Sequence, residues 1–88
     1  MEFRWNDWNL GHIEEHGIGP EEVEYVVDHA VRPFPRYEGR GKYRVWGQAA
    51  GGDYLQVIFI YDSPSQVFVI HARPLDDHEK RLFRRKRK

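Results

Sequence analysis

An 88-residue chain holds one domain, residues 1–88, and at that size a core depends on large side chains, here three Trp, five Tyr and five Phe. The absence of cysteine excludes disulfides, thiolate metal sites and cysteine nucleophiles, and it favours a reducing cytoplasm over secretion. A net charge of zero hides a gradient: one Arg against eight acids in residues 1–30, five cations against three acids in 31–72, and eight against three in 73–88. A neutral average with a basic end points to an anionic partner met at that end, although cations closing a helix also serve its dipole in solvent.

The opening Met1-Glu2-Phe3-Arg4-Trp5 lacks the basic-then-apolar pattern of a signal peptide. The longest apolar run, Val57 to Tyr61, is too short to span a bilayer, so no membrane partner is expected. Phe3 to Trp5 alternates and predicts a short edge strand. Asn6 or Asp7 then caps a helix running to about His16, where Gly17 stops it. Gly19-Pro20-Glu21-Glu22 opens a second helix, with Val23, Val26, Val27 and Ala30 on one face, ending near His29 or Ala30. Residues 31–41, with Pro33, Pro35, Gly39 and Gly41, read as a connecting loop.

Three strands follow: Lys42 to Gln48, Tyr54 to Tyr61, and Gln66 to Ala72, joined by turns at 49–53 and 62–65. Short turns between consecutive strands predict an antiparallel meander. Asp76 or Asp77 caps a last helix that carries Leu82 and Phe83 and ends in Arg84-Arg85-Lys86-Arg87-Lys88. The fold class is α+β: a short N-terminal strand and two helices, then a three-stranded antiparallel meander and a C-terminal helix.

Two constellations carry chemistry. His12 and His16 share a helical face at i and i+4, a spacing that holds metal in zinc peptidases. Those enzymes need Glu directly after the first His. Ile13 stands there and no third ligand is near, so no metal is expected and the histidines read as packing and capping groups. The second set lies on the strands. Lys42, Arg44 and Trp46 share one face of their strand, and Val67, Val69, His71 and Arg73 share a face of theirs. Cations suit phosphate, and a Trp can stack on an unpaired base. The competing expectations are ordinary: Arg44 paired with an acid, and His71 a hydrogen-bonded, partly buried side chain.

The ordered set of motifs resembles the BrnT-like toxins. It comprises Phe3-x-Trp5; Asn9-x-x-His12-Ile13-x-x-His16-Gly17-Ile18-x-Pro20-Glu21-Glu22-Val23-Glu24; Gly41-Lys42-Tyr43-Arg44-Val45-x-Gly47; Leu55-x-Val57-Ile58-Phe59; and Val69-Ile70-His71-Ala72-Arg73-Pro74-Leu75 with Glu79 and Arg81. The resemblance covers nearly the whole chain. It implies a RelE-like fold and metal-independent RNA cleavage, needing no cofactor, by the toxin of a type II toxin–antitoxin pair. The implied partners are RNA and a small cognate antitoxin, with a toxin–antitoxin heterotetramer as the assembly. Such cleavage proceeds by attack of the ribose 2′-hydroxyl on the adjacent phosphate, which calls for a base, cations around the phosphate and an acid. Two departures stand out. His71 occupies a position that carries a small hydroxyl residue in many relatives, and the first helix, often Lys-rich there, is acidic here.

The resulting expectation names Arg44 and Arg73 as phosphate stabilisers and His71 as acid or base. His16 is an additional candidate. Lys42, Trp46, Lys80, Arg81, Arg84 and Arg85 are assigned to RNA binding. The alternative is a non-catalytic interaction domain of the same fold that binds a partner protein or RNA.

Overall fold

A five-stranded mixed sheet organises the molecule, and the computed structural model describes residues 1–86 of it. The tail cations Arg87 and Lys88 lie outside the described residues, as does the side chain of Lys86. Element order is β1 (Glu2–Arg4), α1 (Asp7–Glu14), α2 (Pro20–Asp28), β2 (Arg36–Gly39), β3 (Lys42–Gln48), β4 (Tyr54–Ser63), β5 (Gln66–Pro74) and α3 (Asp77–Lys86). The sheet runs β1-β5-β4-β3-β2, antiparallel except where β1 lies parallel to β5.

The α+β class and the order of helices follow the sequence reading. The three-stranded meander does not: it has four strands, because β2 occupies part of the stretch expected to be a loop. This strand is four residues long and three of them are exposed, so it carries no apolar alternation to announce it. Its hairpin turn is nonetheless written in the sequence. Gly39 and Gly41 adopt φ 90° and 77°, the left-handed region open to glycine, and Arg40 between them is held at φ 54°.

Helix starts follow their capping residues. Asn6 accepts from the Asn9 backbone at 3.1 Å while Asn9 Oδ1 accepts from the Asn6 backbone at 2.7 Å, a reciprocal capping box. Asn9 is fully buried, and its amide also donates to the Arg4 carbonyl at 3.0 Å, which fixes α1 against the end of β1. Asp76 and Glu79 form the same box for α3, at 2.8 and 2.9 Å.

The two sheet faces differ. Val45, Leu55, Val57, Phe59, Val67, Val69 and Ala72 are buried and join one core with Val23, Val26 and Val27 of α2, which packs on β3 and β4, and with Ile13 of α1, which runs along β5. Gly47 permits the approach of α2, since a Cβ there would sit 2.9 Å from Val26 Cγ1. On the opposite face α3 covers one end only. Phe83 packs against Phe34 and Tyr54, and Phe34 packs against Trp46. The remainder of that face is bordered by α1, whose Trp8 and the following His16 reach Phe68 and His71, and the candidate residues lie there.

Candidate functional site

Register places the sequence candidates in two transverse rows. Trp46, Gln56 and Arg73 are mutual strand partners, and so are Arg36, Arg44, Ile58 and His71. Direct partners share a sheet face. Arg44, Ile58 and His71 therefore project from three adjacent strands, and Arg44 and His71 stand two strand spacings apart, about 10 Å. One sequence expectation fails here: Val67 and Val69 do not share a face with His71 and Arg73. Val69 pairs with Phe59 and His71 with the adjacent Ile58, so Ile70 is an extra residue, a bulge that reverses the alternation. The bulge turns His71 and Arg73 out of the core that holds Val67 and Val69.

The first row is a structural clasp. Arg73 binds Glu79 of α3 in a two-point fork at 2.8 and 2.7 Å, and also donates to the Pro74 carbonyl at 3.0 Å and to Gln56 Oε1 at 3.3 Å. Trp46 Nε1 donates to the same Gln56 oxygen at 3.0 Å. The Arg73 guanidinium, foremost by hydrogen bonding, pulls the Glu79 carboxyl down to about 2. Glu79 is thus an ionised partner at neutral pH and supplies no proton. Trp46 is only 6% exposed and its ring is covered by Phe34, so the base-stacking role expected of it has no accessible surface in this arrangement.

The second row is open. Arg44 lies beside the Trp46 ring, its guanidinium carbon 5.2 Å from the centroid. Its Nε is buried and makes no hydrogen bond; the Glu38 carboxylate sits 3.4 Å away without hydrogen-bond alignment. The ordinary expectation of an acid partner is met in part, since Glu38 is exposed and its hold is loose. Opposite Arg44 on β2 is Arg36, a like charge directly across the ladder, a pairing that costs stability where nothing anionic bridges it. Sequence reasoning missed Arg36 because it missed β2. The glycines flanking Arg40 were the available signal. Lys42 is exposed on the same face of β3 as Arg44.

His71 is half-buried, and among the described residues its ring has no hydrogen-bond partner and neither nitrogen is sealed from solvent. Burial, together with His16, Arg73 and His12 as neighbouring cations, pushes its imidazole below the ordinary value. It therefore stands mostly neutral near pH 7, able to accept a proton. His16 belongs to the last turn after α1, and its ring meets His71 edge-on, centroids 5.8 Å apart at 74°. His12 is instead tied up, its Nδ1 donating to the Trp8 carbonyl at 2.8 Å and its ring lying 4.2 Å from Trp8.

Trp8 reaches the same side of the molecule, stacking on Phe68 of β5 at 5.9 Å, and the Arg4 guanidinium lies 4.2 Å from the centre of that Phe68 ring. Trp8 is 51% exposed, a more accessible aromatic beside this face than Trp46. Among the α3 cations, Lys80 lines a groove of about 310 Å³ with His16 and Tyr54, while Arg84 lies over Tyr54 at 5.1 Å. Arg81 and Arg85 are exposed.

Arg44, Lys42 and His71 share one sheet face, with His16 at its margin against His71 and Lys80 in the groove beside His16. Arg73 and Trp46 lie beside them on that face, Arg73 next to His71 and Trp46 beside the Arg44 guanidinium, but both are engaged in the anchorage of α3. No helix among the described residues is long and apolar enough to cross a membrane. No family model matches this chain, and no curated protein matches it at a significant level.

Proposed function

We propose that the chain is a metal-independent endoribonuclease of RelE-like fold, the toxin of a type II toxin–antitoxin pair, cleaving RNA on the open sheet face. The carrying observation is the row Arg44, Ile58, His71, which sets a half-buried imidazole without a hydrogen-bond partner across the sheet from a guanidinium whose Nε is unpaired. A phosphodiester lying over Ile58 reaches both. His71 takes the proton of the 2′-hydroxyl, which attacks phosphorus, while Arg44, with Arg36 and Lys42 beside it, meets the charge that builds on the phosphoryl oxygens. Guanidinium groups suit that task because their fork matches phosphate oxygens.

The antitoxin in this reading lays an acidic segment over the same cations, and the heterotetramer is the assembly it forms with the toxin. The test is direct. Purified protein is incubated with single-stranded RNA in excess EDTA, and the product ends are analysed. Cyclic 2′,3′-phosphate and 5′-hydroxyl ends that vanish in His71→Ala support the proposal. RNA left intact, or cleavage that EDTA stops and added zinc restores, overturns it. Induction in bacteria should arrest growth, and an adjacent small open reading frame should relieve the arrest.

One observation favours the second reading, a non-catalytic domain of this fold that binds RNA or a protein. Arg73 is saturated by Glu79, which leaves fewer free cations than a phosphate-cleaving site can use. Binding of RNA without any cleavage selects that reading.

A further inference from the structure

We infer that His16 is the second imidazole of the reaction, donating a proton to the leaving 5′-oxygen while His71 takes the proton of the 2′-hydroxyl. This inference rests on the ribonuclease reading of the open face. An acid is required there, and the neighbouring groups are poor at the task. Glu79 is ionised by Arg73. Arginine does not release a proton in the working range. Of the five histidines, His12 and His29 are each bonded through Nδ1 to a backbone carbonyl, and His78, on α3, is not among the charged groups that act on His71.

His16 differs in two ways. Its side chain is exposed, yet its backbone is pinned: His16 N–H donates to the Ile13 carbonyl at 3.1 Å, and Gly17 and Ile18 continue the turn at 2.9 and 3.2 Å. Gly17 takes φ 70° so that the chain can reverse, and Ile18 is buried directly afterwards. The backbone is thus held at the margin of the sheet, the ring stands 5.8 Å from His71, and it makes no hydrogen bond to a protein group among the described residues. Beside it runs the groove of about 310 Å³ with Tyr54, Asp53 and Pro74 in its walls and Lys80 at its rim. The nucleotide downstream of the scissile phosphate lies in that groove.

The step balances without a redox partner. The 2′-oxygen bonds to phosphorus as the bond from phosphorus to the 5′-oxygen breaks. The hydroxyl proton passes to His71 and one proton passes from His16 to the leaving oxygen. The products are a cyclic phosphate and a free 5′-hydroxyl, and the two histidines exchange protonation states with solvent before the next turnover. Groups facing His71 are His16 and His12 from the α1 segment and Arg73 on its own strand, with Arg44 beyond Ile58 and Glu79 of α3 bound to Arg73.

The test compares two substrates, a ribodinucleotide and a ribonucleoside 3′-nitrophenyl phosphate, whose leaving group needs no acid. His16→Ala should slow dinucleotide cleavage by about 10²–10⁴-fold, the usual worth of a positioned acid, and slow the aryl ester by under about tenfold. His16→Gln, checked by its unfolding midpoint, should behave alike and so separate chemistry from folding. Equal losses on both substrates, or unchanged cleavage of the dinucleotide, overturn the acid assignment. A wild-type chain that cleaves neither substrate overturns the ribonuclease reading together with it.

Discussion

Breaking the clasp between Arg73 and Glu79 should cost stability before it costs anything else. The pair joins β5 to α3 through two hydrogen bonds at 2.8 and 2.7 Å, and the side chains are 31% and 16% exposed. Glu79 falls from 4.5 to about 2, which at about 1.4 kcal/mol per unit bounds its contribution near ~3 kcal/mol. Arg73 is close to one-third exposed, so water screens the pair, and about 1–2 kcal/mol is the working expectation. The folded-state value is depressed, so the contribution is complete above the unfolded value of 4.5 and fades as pH falls through the interval down to about 2. Glu79→Gln removes the titrating group while keeping its shape.

Urea unfolding of the wild type and Glu79→Gln, at neutral pH and at steps down to about pH 3, measures the difference. The gap should be about 1–2 kcal/mol at neutral pH and shrink steadily on acidification. Arg73→Ala, Glu79→Ala and the double variant close a cycle whose coupling should exceed about 0.5 kcal/mol. A gap that persists unchanged at low pH, or a cycle with no coupling, refutes the clasp. The outcome matters for function, because an Arg73→Ala variant that gives up RNA cleavage and stability together says nothing of a phosphate interaction. Absence of cleavage at unchanged stability would restore Arg73 to the reaction.

Three further outcomes are expected. Arg44→Ala should raise the activation free energy of cleavage by about 2–4 kcal/mol, the worth of a charge-stabilising donor, while unfolding shifts by under about 1 kcal/mol because Glu38 is loosely held; single-turnover kinetics with denaturation curves measure both. Gly47→Ala should destabilise by about 1–3 kcal/mol, since its Cβ would lie 2.9 Å from Val26 Cγ1, and should leave the pH dependence of cleavage unchanged, the site being on the other face. Arg84→Gln with Arg85→Gln should reduce the dependence of log affinity for single-stranded RNA on log salt by up to about 1.4, some 0.7 for each phosphate no longer neutralised, in filter-binding titrations; an unchanged slope marks these side chains as solvated helix-end charges.

Element identity was legible wherever local chemistry is self-sufficient. The three central strands carry their own β-branched and aromatic runs, and Lys42–Gln48 begins and ends where the alternation does. Asn6, Pro20 and Asp76 mark helix starts by capping geometry that needs only neighbouring residues. The strand β2 was not legible because pairing with β3, rather than burial, defines it, and partners distant in sequence leave no period. Site reading divides in the same manner. The shared face of Lys42 and Arg44 follows from strand alternation alone. The face of His71 does not, because the bulge at Ile70 is a property of the pairing with β4. That Arg73 would spend its guanidinium on Glu79, and that His16 would meet His71, depends on how α3 and α1 are laid against the sheet.

The charge gradient along the chain becomes a polarity across the sheet. The acidic first third folds into β1, α1 and α2, with α2 on one face and α1 along β5; the cations of β2, β3 and α3 belong to the other face. Zero net charge therefore coexists with a directed field, attractive to a polyanion on the open face and repulsive to one on the side of α2. The acidic first helix fits that division. What its segment sends toward the open face is Trp8, His12 and His16, rings rather than carboxylates, on the side where Phe68 and His71 lie. Asp7 and Glu14 meanwhile stay in solvent. One helix thus keeps its acids hydrated and turns its imidazoles to the cationic side, which requires Asn9 and Ile13 to fix its rotation by burial. The buried amide of Asn9, bonded to the Arg4 carbonyl, is the group that sets which side of α1 the histidines occupy.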